Sequence, residues 1–250
     1  MINLNIQPVV WALIDERPGT GNQTLAVAKL LDLPFEEKKL HWTHFAELPN
    51  LLIGASLRGL TESSKSEIKT PWPDLVIAAG RRAGSVARYI KKQSLDDCSL
   101  VQIMNPGEST ISDFDLVAVP NHDGVLNSNP NIIRTTGAPH GIENGSLSEA
   151  RVHWHTKFSD FKKPLIGLVL GGATGRRPFS AEIAQELGRQ SGDLVKKLDG
   201  SLFVTSSPRT GSALDAVLSG LDGADVEPAF VYRWSPEDST NKNPYLGIIA

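Results

Sequence analysis

One feature narrows the fold more than any other. Short apolar runs alternate with amphipathic helical segments, and the alternation restarts part-way along the chain. Pro8 to Asp15 (PVVWALID), Asp74 to Gly80 (DLVIAAG) and Leu165 to Leu170 are apolar over most of their length. Runs of this kind suit strands buried on both faces of a parallel sheet. Phe35 to Trp42, Leu100 to Met104, Asp115 to Val119 and Ile132 to Thr135 read as further strands. Between them lie helices. Asn22 to Leu31 sets Thr24, Val27, Ala28 and Leu31 on one face, after a turn over Glu16 to Gly21. Pro49 to Leu60 reads as a helix with loose ends. Arg81 to Gln93 places Ala83, Val86, Ala87 and Ile90 at i, i+3, i+4 and i+7, the spacing of one helical face. Ser146 to Phe158 opens on Ser146-x-x-Glu149, a capping-box pattern, and aligns Leu147, Ala150, Trp154 and Phe158.

Ser159 to Pro164 is short, polar and closed by proline, the composition of a domain boundary. Beyond it the pattern begins again. Ser180 caps a helix running to Leu198, with Ile183, Leu187, Leu194 and Leu198 expected inward and Gly200 as its stop. Ser201 to Thr205 and Ala229 to Trp234 read as strands. Thr210 to Leu221 is a helix with Leu214, Val217, Leu218 and Leu221 in one stripe. The fold class is therefore α/β with parallel sheets, in two tandem units, 1–160 and 161–250. The second unit shows three strands, where a doubly wound unit has about five or six. It closes on the apolar Pro244 to Ala250. From this we expect the sequence to stop inside its second domain.

Composition excludes several classes. Lys and Arg number 25 against 28 Asp and Glu, a net charge of −3, and no basic tail marks a nucleic-acid partner. No apolar stretch approaches the ~18 residues of a membrane span. Met1 to Gln7 lacks the features of a secretory signal. These traits suggest a cytoplasmic protein with no transmembrane segment. A single cysteine, Cys98, rules out an internal disulfide and a cysteine-rich metal site. His153 and His155, two apart on a helix, point in different directions. No metal site is expected.

In open α/β sheets ligands sit beyond the carboxyl ends of the strands, which fixes the loops of interest. Gly171-Gly-Ala-Thr-Gly-Arg-Arg177 joins a strand to a helix. Gly171 and Gly172 would let backbone amides approach an anion, with Thr174, Arg176 and Arg177 adding donors and charge. The plainer reading is a tight turn that needs glycine for its geometry. Ser206, Ser207 and Arg209 close the next strand and suit phosphate or sugar oxygens, or serve only to begin a helix. Arg81 and Arg82 follow Gly80 at a helix start, where positive charge opposes the dipole. That placement points to an anionic ligand or to a carboxylate partner. His122 and Asp123 follow another strand and are candidates for a general base, or for an ordinary turn with Asn121. His140, in Gly137-Ala-Pro-His-Gly141, has the same standing. No Walker A loop or nucleophile elbow is present. Gly19-Thr-Gly21 meets Thr24 where a dinucleotide fingerprint needs its third glycine.

Several segments together carry a resemblance. They are WALIDERPGTGNQTLAVAKLL, PDLVIAAGRRAGSVARYI, VQIMNP, FDLVAVPNHDGV, IIRTTGAPH, LGGATGRRPFS, GSLFVTSSPRT and NPYLGIIA. In that order they resemble the mitochondrial-fission ELM-type family, which includes bacterial members. The family's first loop commonly reads Asp-Gly-Lys/Arg-x-Gly-x-x-Asn-Gln. Here Glu16 replaces the glycine after Asp15.

The resemblance implies a GT-B glycosyltransferase-like arrangement of two Rossmann-like domains, the second incomplete. The first domain would hold the acceptor and the second a nucleotide-sugar donor. It implies that Gly171, Gly172, Thr174 and Arg177 face the donor diphosphate, with Ser206, Ser207 and Arg209 close by. On the first-domain side it implies a cleft formed by Asp15, Gly21, Asn22, Gln23, Gly80, Arg81, Arg82 and His140. Two function classes follow. One is a metal-independent sugar transferase without a cofactor, using His122 or Asp123 on a saccharide or lipid acceptor, and in the lipid case working at a membrane surface. The other is a non-catalytic adaptor of the same shape that recruits a protein partner. A nucleotide-sugar epimerase with a dinucleotide cofactor is a third reading, opposed by the missing glycine.

Overall fold

The computed structural model describes residues 7–123, 129–173, 178–238 and 243–250. The chain forms two compact units, Met1–Gly141 and Ile142–Ala250.

Unit 1 is built on six strands: β1 (Val10–Asp15), β2 (Phe35–Leu40), β3 (Leu75–Ala79), β4 (Ser99–Ile103), β5 (Leu116–Pro120) and β6 (Ile132–Thr135). They lie in the order β2-β1-β3-β4-β5-β6, and every pairing is parallel. Alternate residues of each strand serve opposite faces. Val10 and Ala12 join Ile77, Ala79 and Ile103 beneath Ala28 of α1 (Pro18–Leu30). Trp11 and Leu13 join Val76 and Ala78 beneath Ala83, Val86, Ala87 and Ile90 of α4 (Gly80–Gln93). Those four α4 side chains are fully buried, as their spacing foretold. Two short helices, α2 (Asn50–Ile53) and α3 (Glu62–Ser66), lie between β2 and β3. The long helix expected over 49–60 is thus a single turn, ended where Gly54 turns left-handed at φ +60°. Helix α1 begins at Pro18, inside the segment expected to be a turn. The Arg17 amide donates to the Asp15 carboxylate at 2.9 Å and helps set that start.

Unit 2 begins with α5 (Asn144–Phe158), followed by β7 (Leu165–Val169), α6 (Ala181–Leu198), β8 (Ser201–Thr205), α7 (Ala213–Gly223), β9 (Phe230–Tyr232) and α8 (Tyr245–Ile249). The sheet order is β7-β8-β9, again parallel. The boundary therefore precedes α5 and lies ahead of the one suggested by Pro164. The cause is aromatic packing. Trp154 and Phe158 of α5 stack on each other at 5.3 Å, and Phe158 meets Phe203 at 4.6 Å. Ser146 is not the cap of α5. It sits at the third helical position and accepts from the Glu143 amide at 3.2 Å.

The opposite sheet face meets α6 and α7 through Ile166, Leu168, Leu202, Val204, Leu214, Val217 and Leu221. Two expectations fail here. Leu165 and Val169 are exposed, because they project from the sheet face opposite to the one on which Ile166 and Leu168 pack against α6 and α7. On α6 the buried residues are Ala184, Gly188, Gly192 and Val195, whereas Ile183, Leu194 and Leu198 are exposed. A Cβ on Gly188 would stand 2.0 Å from the Val217 carbonyl oxygen. One on Gly220 would stand 2.0 Å from that of Gln185. Backbone meets backbone, and only glycine permits that approach. The left-handed residue ending α6 is Asp199, φ +53°, rather than Gly200.

Candidate functional site

In unit 1 the chain runs from β1 outward to β2, then returns to β3 on the other side of β1. Where strand order reverses, the loops leaving β1 and β3 diverge and open a crevice at the strands' carboxyl ends. Asp15 closes β1, and Gly80, Arg81 and Arg82 open α4 directly after β3. The structure brings these residues together. Arg82 Nη2 donates to Asp15 Oδ1 at 2.8 Å and to Oδ2 at 3.1 Å. The two side chains are only 10% and 4% exposed. The Arg82 guanidinium also lies 4.8 Å from the ring centroid of Trp42. Of the two partners the sequence allowed, Arg82 has the carboxylate. Arg81 donates to the main-chain carbonyls of Leu48 at 2.5 Å and Ala46 at 3.1 Å, tying that segment to the start of α4.

The glycines here answer to geometry. Gly80 adopts φ +73° at the strand-to-helix turn. A Cβ on Gly21 would stand 2.4 Å from the Asp15 carbonyl oxygen. Thr24, where the third dinucleotide glycine would stand, is fully buried in α1. Asn22 is exposed. Gln23 donates from Nε2 to the Gly19 carbonyl at 2.6 Å and to Met104 sulfur at 3.6 Å. Its Oε1 is buried and has no hydrogen-bond partner among the described residues. Gln102 of β4 shares that condition. Its amide nitrogen reaches the carbonyls of Gly80 and Ile103 at 3.1 and 2.9 Å, while its buried Oε1 is unpaired. Sequence reading passed over Gln102. The available signal was one polar residue within an otherwise apolar strand.

The other unit 1 candidates lie on the surface. His122 is 68% exposed, with Nε2 3.9 Å from Asp123 Oδ1. The Asp123 amide bonds to the Pro120 carbonyl at 3.0 Å, and its own carbonyl accepts from Arg134 at 3.2 Å. His140 is exposed.

In unit 2 the carboxyl ends of β7, β8 and β9 are stitched together by hydroxyls. Thr210 Oγ1 donates to the carbonyl of Gly171 at 2.6 Å and lies 3.2 Å from that of Leu170. It also accepts from the Ser207 amide at 2.9 Å. Ser206 Oγ donates to the Tyr232 carbonyl at 3.3 Å and accepts from the Trp234 amide at 2.8 Å. A Cβ on Gly172 would meet the Arg209 carbonyl oxygen at 2.0 Å. The two loops therefore touch through their backbones, and both Gly171 and Arg209 are exposed. Thr174, Arg176 and Arg177 lie outside the described residues. Tyr232, at the same strand ends, donates to Asp238 at 2.9 Å. Burial first, and then that bond, push its phenol up to about 12.

Among the described residues no group of three or more His, Cys, Asp or Glu converges as a metal site. No helix there is long and apolar enough to cross a membrane.

The profile of the family described as mitochondrial fission ELM1 matches residues 18–250. The chain belongs to this family. It is 27% identical over 222 residues to mitochondrial fission protein ELM1 of Arabidopsis thaliana, covering 80% of this chain and 50% of that protein. It is 24% identical over 271 residues to the uncharacterized protein RP120 of Rickettsia prowazekii, covering 96% of this chain and 75% of that one. The chain thus spans half the length of the plant relative. Among solved structures it is similar to UDP-GlcNAc 2-epimerase from Methanocaldococcus jannaschii. The TM-score is 0.51 at 12% identity, over 96% of this chain and 76% of that one. The likeness shows the fold: α/β with parallel sheets of the GT-B type.

Proposed function

We propose that this family member binds a nucleotide sugar through unit 2 and serves a GT-B-type transferase reaction that needs no metal. The contact between Gly172 and the Arg209 backbone carries the reading. It sets the start of a glycine-rich loop against the backbone of Arg209, an exposed basic residue, at the ends of parallel strands, where glycine amides and an arginine suit an anion. Diphosphate leaving groups are stabilised by such donors. In this reading Gly171, Gly172, Thr174, Arg176, Arg177 and Arg209 serve the diphosphate. Unit 1 serves a saccharide or lipid acceptor, with His122 or Asp123 taking the proton of its hydroxyl as the new glycosidic bond forms and the nucleoside diphosphate departs. The structurally similar epimerase is named for a UDP-sugar, so UDP-GlcNAc is the first probe.

Thermal shift with UDP-GlcNAc, UDP and NAD tests the reading. UDP-GlcNAc and UDP are expected to stabilise the protein and NAD to leave it unchanged. Arg209→Ala should remove the shift. No response to any nucleotide sugar, or a full response in Arg209→Ala, overturns the assignment. Once turnover is found, His122→Ala and Asp123→Ala should lower it while donor binding persists.

One observation favours the adaptor reading instead. The hydroxyls of Ser206 and Thr210 are committed to main-chain carbonyls, so these residues hold the loops together. An adaptor predicts a protein partner whose capture survives Arg209→Ala.

A further inference from the structure

A depression of about 410 Å³ opens on unit 1 between α4 and a short helical turn over Glu108–Asp113. That volume is of small-molecule size. Its lining is Arg88, Lys91, Lys92 and Asp96 from the end of α4 and the loop after it, with Ser112 and Asp113 from the turn. Helix α4 carries the chain from the carboxyl end of β3 to the amino end of β4, and these two strands are parallel. The depression therefore lies at the amino end of the sheet, away from the crevice that holds Asp15 and Arg82.

Lysines near a helix C-terminus answer to the dipole, and Lys91 is committed to Asp115 at 2.8 Å. The other polar groups are not used up in this way. Arg88, with 17% of its side chain exposed, gives its Nε to Asp113 Oδ2 at 2.5 Å. Among the described residues its Nη1 and Nη2 bond to nothing, so one planar edge of the guanidinium stays open. The side chains of Lys92, Asp96 and Ser112 make no ion pair or hydrogen bond there either. On a continuing helix Lys92 and Asp96 would stand at i and i+4 and could pair. Instead Leu95 and Asp96 both turn left-handed, at φ +55° and +67°, a conformation that residues other than glycine rarely take. The Asp96 amide folds back onto the Lys91 carbonyl at 3.1 Å. Asp96 thus leaves the helical row.

The charges can then be balanced. Arg88 is matched by Asp113 and Lys91 by Asp115. One ammonium, Lys92, and one carboxylate, Asp96, are left in the same lining, together with the open guanidinium edge and the Ser112 hydroxyl. An arginine edge with a lysine and a hydroxyl suits a carboxylate. A free aspartate suits an ammonium. We infer that this depression binds a small zwitterion of the amino-acid type, its carboxylate on Arg88, Lys92 and Ser112 and its ammonium on Asp96. The site is independent of the proposed nucleotide-sugar chemistry.

Calorimetric titration of the 250-residue chain with the standard amino acids tests this. At least one is expected to bind, and its analogue without the amino group should bind about ten-fold or more weakly. Asp96→Asn keeps a residue type that tolerates the left-handed conformation. It should erase that preference, bringing the amino acid down to the level of its analogue. Lys92→Ala should weaken both ligands alike, by about ten-fold. Both positions are exposed, so neither change should move the thermal midpoint of the free protein. Failure of every amino acid to bind, equal binding of the amino acid and its analogue, or an Asp96→Asn protein that keeps the preference overturns the inference.

Discussion

Gly188→Ala tests how unit 2 is held together, because two opposing effects of known size meet at one atom. In an open helix the change is favourable. Alanine exceeds glycine in helix propensity by about 1 kcal/mol. Gly188 is not open: the new Cβ would lie 2.0 Å from the Val217 carbonyl oxygen, on the backbone of α7. Reaching an ordinary contact of about 3.2 Å requires α6 and α7 to separate by about 1 Å. A radial gap of that size forfeits a quarter to a half of each van der Waals contact. The contacts at risk involve Ala184, Val195, Leu214, Val217 and Leu221. Overpacking of this sort costs about 1–3 kcal/mol, and a rigid backbone obstacle places it near the top. After the propensity gain, the net loss is about 2 kcal/mol, or roughly 8 °C in midpoint if unit 2 melts by itself. Gly145→Ala on α5 is the control, since nothing lies within 4 Å of its Cβ position; it should leave the midpoint unchanged or raise it. Thermal unfolding by circular dichroism measures both. A Gly188→Ala protein that melts at or above wild type would refute the close helix contact.

Other outcomes follow from the same structure. Asp15→Asn leaves the Arg82 guanidinium buried beside a neutral partner and should cost about 3–5 kcal/mol in urea unfolding. A change within error would show that the pair is solvated. Burial is the largest single influence on Asp115 and raises its carboxyl. Bonds from Lys91 Nζ at 2.8 Å and the Leu100 amide at 2.7 Å outweigh it and hold the group below the ordinary aspartate value. Its stabilising contribution is thus present above about pH 4 and lost as pH falls further. Asp115→Asn should flatten the acid limb of the stability–pH curve, and an unchanged limb counts against the pair. Cys98 is 1% exposed, and burial pushes its thiol up to about 11. Native protein should therefore label with a thiol reagent only as fast as it unfolds, and rapid stoichiometric labelling contradicts that burial.

The sequence alone determined the class of fold and most of the elements. β6 and β8 fall where the apolar runs placed them, and Ala83, Val86, Ala87 and Ile90 are buried as their spacing required. Periodicity is local, and burial of a whole helical face follows from it directly. Family membership was legible too, in motifs spread along the whole chain. The fates of individual site residues were not. Arg82 could answer to a ligand or a carboxylate, and only the adjacency of β1 and β3 brought Asp15 to it. Ser206 had the chemistry of a phosphate ligand until strand order placed the Tyr232 carbonyl within its reach. Helix α6 shows the limit most clearly. Its large aliphatic stripe looked like the core face, yet the buried contact runs through Gly188 and Gly192. A hydrophobicity pattern records which side chains seek cover, whereas two backbones meet where side chains are absent. Absence carries no periodic signal, so only the tertiary structure decided which face of α6 turned inward.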